Sequence, residues 1–110
     1  MDFNEYQKLA GTTAIYPEHD TGSKTALAYC ALGLAGEAGE VANKTKKLLR
    51  DYDTIDLRAR ICQEIGDTLW YAARLASEFG VDLEIIAENN LKKLKVRGHN
   101  GKLRGEGDER

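Results

Sequence analysis

The run Gly33-Leu34-Ala35-Gly36-Glu37-Ala38-Gly39-Glu40-Val41-Ala42 sets two glutamates inside a segment, Ala26 to Ala42, that holds no other charged residue. A second stretch, Glu64-Ile65-Gly66-Asp67-Thr68-Leu69-Trp70-Tyr71, repeats the pattern with a glutamate and an aspartate between Ile61, Ile65 and Leu69. No run of period-two alternation surrounds either stretch, so both read as helices. On a helix, side chains three residues apart share a face, and each pair becomes a two-carboxylate claw. Withdrawing carboxylates from water without a counter-charge costs several kcal/mol each, so the claws ask to be neutralised, paired or bound to metal.

The single proline, Pro17, lies in Ile15-Tyr16-Pro17-Glu18-His19-Asp20-Thr21-Gly22 and separates a first amphipathic segment, about residues 2–13, from a long second helix, about 24–50. Ser23 is placed to cap that second helix, and Asp51-Tyr52-Asp53-Thr54 offers a turn and a cap for a third, about 55–79, which Gly80 stops. Asp82 is expected to cap a fourth helix ending near Arg97, followed by an irregular glycine-bearing tail over 98–110. The expectation is one all-α domain over residues 1–110, a four-helix bundle of the architecture that builds metal sites from carboxylates on facing helices. Gly33, Gly36 and Gly39 each cost about 1 kcal/mol inside a helix, which points to close approach of a neighbouring helix or a ligand.

The 110 residues bury roughly two-thirds of their unfolded surface, few enough that self-association adds stability. A net charge of -2 gives no general attraction to nucleic acid or anionic membranes, so neither is expected as a partner and any phosphate-binding surface is local. The polar start Met1-Asp2-Phe3-Asn4-Glu5 is unlike a signal peptide and no apolar run is long enough for a membrane span, which makes the cytoplasm the expected address. Cys30 and Cys62 have no metal-ligand or C-x-x-C spacing and read as reduced packing residues.

Rotated at about 100° per residue, the second helix carries Tyr29, Gly33, Glu37, Glu40, Lys44 and Lys47 along one side. The third carries Leu57, Ile61, Glu64, Asp67, Thr68, Tyr71 and Leu75, so both claws can face one cleft. A single acidic pair reads better as solvated surface acids, with Lys44 four residues after Glu40 in the favourable order. Two pairs, both bordered by apolar faces and glycines, favour a cation. Four oxygen donors without histidine or thiolate suit Mg2+, with Mn2+ as a substitute. Neither Glu-x-x-His nor an EF-hand loop is present. From Leu91 to Arg104 there are six Lys or Arg residues and no acid, and Asn90, Lys93 and Arg97 share a stripe from which they can reach one polyphosphate. Cations there also complement the helix dipole. Trp70, three residues after Asp67, suits stacking on a base, though its apolar area favours a core or interface role.

The segments 33–42 and 64–71 resemble the paired E-x-x-E and E-x-x-D motifs of the MazG-like, all-α nucleoside triphosphate pyrophosphohydrolases. Asn90-Leu91-Lys92-Lys93-Leu94 with Arg97, and Arg104-Gly105-Glu106-Gly107-Asp108, are similar to segments of the short, single-domain members. The resemblance implies a magnesium-dependent hydrolase that splits a nucleoside triphosphate into monophosphate and pyrophosphate to remove unwanted nucleotides. It implies Glu37, Glu40, Glu64 and Asp67 as catalytic metal ligands, and Lys44, Asn90, Lys93 and Arg97 as contacts to phosphate or ribose. A homodimer, or a homotetramer made of two dimers, with a site completed across subunits is implied as well. The alternatives are a related hydrolase of phosphoribosyl-ATP or a nucleoside diphosphate, and a noncatalytic bundle held by metal.

Overall fold

The computed structural model describes residues 1–109 and contains four helices: α1 (Phe3–Gly11), α2 (Lys24–Arg50), α3 (Ile55–Glu78) and α4 (Leu83–His99). No strand occurs among the described residues, as the absence of alternation in the sequence requires. Three N-termini begin on residues whose side-chain oxygens accept an otherwise unpaired backbone N–H. Asp2 accepts from Glu5 N, Ser23 from Ala26 N and Thr54 from Leu57 N. Asp82 occupies the N-cap position of α4 but its side chain makes no capping bond. Gln7 of α1 does that work instead: its Oε1 accepts from Leu83 N at 2.8 Å while its Nε2 donates to Val81 O and Ser77 Oγ. The cap expected from a neighbour in sequence comes from a helix some 75 residues away in the chain, and it pins α1 across the α3–α4 corner.

That corner is a Schellman turn. Val81 N bonds to Ala76 O and Gly80 N to Ser77 O, with Gly80 at φ 71°, a conformation glycine adopts without strain. The same pattern ends α4, where Lys102 N bonds to Arg97 O and Gly101 N to Gly98 O, so the chain turns back on itself after His99.

α2 and α3 form a long antiparallel hairpin, α2 alone reaching about 40 Å at 1.5 Å per residue. α1 and α4 pack against α3 and each other, and α4 does not pack on α2. The hydrophobic core accordingly sits around the C-terminal half of α3. Ala10, Ala73, Ala76 and Leu83 make one cluster, Ala14, Tyr16, Ala26 and Cys30 a second, and Trp70 touches both. Trp70 donates its indole N–H to Thr13 Oγ1 at 3.0 Å and meets Tyr16 and Tyr71 edge-on, a packing role that keeps its polar atom satisfied. Cys30 is buried as expected of a packing thiol, but Cys62, on α3, is exposed and does not pack within the chain as expected.

Beneath the α1–α2 loop lies a buried polar network. Glu78 accepts from the Tyr16 hydroxyl, Asp20 N at 2.8 Å, Gly22 N at 2.9 Å and Arg74 Nη2 at 3.3 Å. Arg74 also donates from Nε to Tyr16 Oη and from Nη2 to Asp20. Sequence patterning had no sign of this network beyond the i, i+4 spacing of Arg74 and Glu78.

The hairpin is left widely exposed. The accessible surface is 7935 Å², against about 6,100 Å² expected for a folded monomer of this mass. Leu32, Leu49, Ile55, Ile65 and Phe79 all stand in solvent.

Candidate metal centre

The reversal of the chain between α2 and α3 determines which residues meet. A Cβ on Gly33 would lie 2.2 Å from the Tyr71 ring, so these two positions are in direct apposition and glycine is required for the ring to sit down on α2. One turn further along α2 is Glu37, and one turn back along α3 from Tyr71 is Asp67. A second step, of three residues on each helix, reaches Glu40 and Glu64. The antiparallel register therefore brings the two claws opposite each other.

Carboxylate oxygens of Glu37, Glu64 and Asp67 all lie within 4.8 Å of one another. Glu37 and Glu64 are half-buried and Asp67 is exposed, so the cluster is rooted between the helices and opens at one side. A shallow cleft of about 270 Å³ lined by Glu37, Asp67, Trp70 and Tyr71 forms that opening. Glu40 lies outside the three-residue group. Its carboxylate is half-exposed and stands 3.4 Å from Lys44 Nζ, which is also 3.5 Å from Glu64. Lys44 thus sits at the edge of the cluster as its one nearby cation among the described contacts.

One ammonium does not balance this many carboxylates. The Glu37 carboxyl is pushed above its ordinary range, first by its hydrogen bond with Glu64, then by burial and by the negative charges of Asp67, Glu64 and Glu40. Packed like charges of this kind are stabilised by a divalent cation. The donor set, all carboxylate oxygen and open on one side, fits a hard ion such as Mg2+ or Mn2+ that keeps part of its coordination for water and phosphate.

The basic residues of α4 are elsewhere. Asn90 is exposed, while Lys93 and Arg97 are engaged by the chain's own tail through Asp108. Since α4 does not pack on α2, a single chain does not deliver Lys93 and Arg97 to α2's glutamates. Tyr71 is the cleft residue whose role sequence reasoning passed over, although its spacing of four from Asp67 put it on the acidic face. Gly36 and Gly39 differ from Gly33: a Cβ at either would meet nothing within 4 Å. They line an open surface depression with Ala35, Ala42 and Asn43, so no contact within the chain accounts for them.

The family model of the MazG nucleotide pyrophosphohydrolase domain matches residues 25–101, from the first turn of α2 through the end of α4. The chain is also 45% identical, over an alignment of 114 residues covering 100% of both chains, to the Gene 37 protein of Mycobacterium phage L5. No solved structure matches it.

Proposed function

The chain belongs to the MazG nucleotide pyrophosphohydrolase domain family, and from that premise we propose that it hydrolyses nucleoside triphosphates to monophosphate and pyrophosphate, with Mg2+ as cofactor and removal of unwanted nucleotides in the cytoplasm as its task. The observation that carries the reading is the group of three carboxylates, Glu37, Glu64 and Asp67, rooted between α2 and α3 and opening into a cleft.

In this reading Glu37, Glu40, Glu64 and Asp67 hold the cation. Glu40 is one helical turn from Glu37 and half-exposed, and in the proposal its side chain turns from Lys44 toward the cluster. Bound magnesium supplies charge for the polyphosphate and acidity for the attacking water. Lys44, at the edge of the cluster, binds a phosphate oxygen once Glu40 turns away. Trp70 and Tyr71 wall the cleft and set the orientation of the nucleoside. Phosphoryl transfer asks for positioning and charge neutralisation more than for a covalent nucleophile, and none is required of this chain.

Asn90, Lys93 and Arg97 are the remaining substrate contacts in the proposal, and a second copy of the chain brings them to the carboxylates. The exposed surface supports assembly, since its excess over a compact monomer is on the order of 2,000 Å², the scale of an obligate interface. A radius of gyration of 16.4 Å, against about 13 Å for a compact chain of this length, points the same way. A homodimer or a pair of dimers satisfies both.

Turnover of a panel of nucleotides in water labelled with heavy oxygen tests the reaction. Label is expected in the nucleoside monophosphate with unlabelled pyrophosphate released, the signature of attack at the α-phosphorus. Orthophosphate and a nucleoside diphosphate as primary products would overturn the reading. Turnover confined to phosphoribosyl-ATP or nucleoside diphosphates would replace the substrate class.

A further inference from the structure

The tail that follows α4 is fastened to the two cations that the proposed function needs for phosphate. After the Schellman turn at Gly101 the chain doubles back, and Leu103 packs 3.6 Å from where a Cβ on Gly98 would stand. This carries Gly107 and Asp108 alongside the last turns of α4. Asp108 Oδ1 accepts from Lys93 Nζ at 3.1 Å and from Arg97 Nη2 at 3.3 Å. Arg97 Nη2 also donates to the carbonyls of Asp108 at 2.8 Å and Gly107 at 3.4 Å. The three bonds from Arg97 all use one nitrogen of its guanidinium. Arg97 is 5% exposed, and its Nε is buried with no hydrogen-bond partner among the described residues.

Capping does not explain the arrangement, because Lys102 N and Gly101 N already satisfy the carbonyls at the end of α4. The helix dipole does not explain it either, since a carboxylate beside a helix C-terminus is on the unfavourable side. Asp108 is seated there by Lys93 and Arg97, whose hydrogen bonds and charges hold its carboxyl below the ordinary range. One oxygen shared by two cations, with a second guanidinium nitrogen left over, is an incomplete version of the fork that an oxyanion makes with arginine. A phosphate group has enough oxygens to take Nε, Nη2 and the Lys93 ammonium together. The Asp108 side chain is 78% exposed and easily released.

We infer that Asp108 is a place-holder for phosphate: the tail straps Lys93 and Arg97 until a phosphate oxyanion displaces it, so Asp108 sets how tightly these residues take their ligand. This rests on the reading of Lys93 and Arg97 as phosphate contacts, but its test needs no turnover. With a chelator present to keep divalent metal out of the carboxylate cluster, pyrophosphate binding to the full-length protein is measured by calorimetry. Asp108→Asn is expected to tighten binding by about three- to tenfold, the range of one exposed, charge-assisted pair, while Glu109→Gln, which removes the same charge one residue away, stays within about twofold of the parent. In the parent, pyrophosphate is expected to lower the nitrogen-15 relaxation order parameters of the backbone at residues 105–109 as the tail comes free. Unchanged or weaker binding by Asp108→Asn, equal tightening by Glu109→Gln, or a tail whose order is unchanged when pyrophosphate is bound would each overturn the inference. Those results stand apart from the hydrolysis assay: an inactive protein whose tail is still displaced contradicts the proposed reaction alone, and an active one with an indifferent Asp108 contradicts the strap alone.

Discussion

Glu78 and Glu37 are both carboxylates withdrawn from solvent, yet their surroundings are opposite. Glu78 receives the Tyr16 hydroxyl, the amides of Asp20 and Gly22 and the Arg74 guanidinium. Burial raises its pKa, but those donors outweigh burial and hold the carboxyl below its ordinary range. Glu37 faces Glu64 and Asp67, with Lys44 at the rim, and its carboxyl is raised. A buried anion whose lone pairs are filled from within the chain is structural, here fastening the α1–α2 loop to α3. One surrounded by like charges is waiting for something from outside. The acidic cluster carries a stability cost that a cation relieves, while Glu78 already takes its donors from Tyr16, Asp20, Gly22 and Arg74 of the same chain.

The largest effect that separates the two is on activity. Asp67→Asn is expected to lower magnesium-dependent turnover by about three orders of magnitude, because a neutral amide replaces an anion where charge must be balanced. Its fold is expected to survive with equal or slightly greater stability, since one of the repelling charges has gone. Near-parental turnover in folded protein would erase the distinction between the two groups.

Glu78→Gln is expected to do the reverse. Arg74 is left buried without its full counter-charge, at a cost of about 3 kcal/mol in urea unfolding, and no metal ligand is touched. Acid sharpens the contrast, because the two shifts have opposite signs. Glu78 has a folded pKa below its unfolded one, so its contribution is complete above the ordinary glutamate pKa of about 4.3 and is lost as pH falls through the folded value. Glu37 has a folded pKa above its unfolded one, so its ionisation opposes folding at neutral pH and that opposition fades as pH drops through the raised value. Unfolding free energy measured from pH 7 to 3 is expected to show a steep acid loss in the parent that flattens in Glu78→Gln.

Glycines provide smaller effects. Gly33→Ala is expected to destabilise by about 1–3 kcal/mol, because Tyr71 must move off α2. Gly36→Ala and Gly39→Ala meet open space and should each add about 1 kcal/mol of helix stability in an isolated chain. Weakened self-association on ultracentrifugation would instead mark the face carrying them as the seat of a second copy.

How much of this was legible beforehand follows from the range of each interaction. The limits of α2 and α3 could be read because Ser23 and Thr54 cap within three residues. The meeting of Glu37, Glu64 and Asp67 could be read because a hairpin of two helices preserves register. The cap of α4 could not, since Gln7 supplies it from the far end of the chain. Lys93 and Arg97 share a stripe as their spacing dictates, but what they touch depends on a turn at Gly101 whose outcome local patterning does not encode. The packing role expected of both cysteines held for Cys30 alone, because hydropathy places a thiol in a helix and only tertiary contacts decide which face is covered.

Titration with Mn2+ followed by electron paramagnetic resonance reads the difference between the two carboxylate groups without substrate. The parent and Glu78→Gln, at a temperature where both are folded, are expected to bind Mn2+ alike, whereas Asp67→Asn and Glu64→Gln are expected to lose binding by at least about tenfold. Equal Mn2+ affinity in all four proteins would contradict a cation site at Glu37, Glu64 and Asp67.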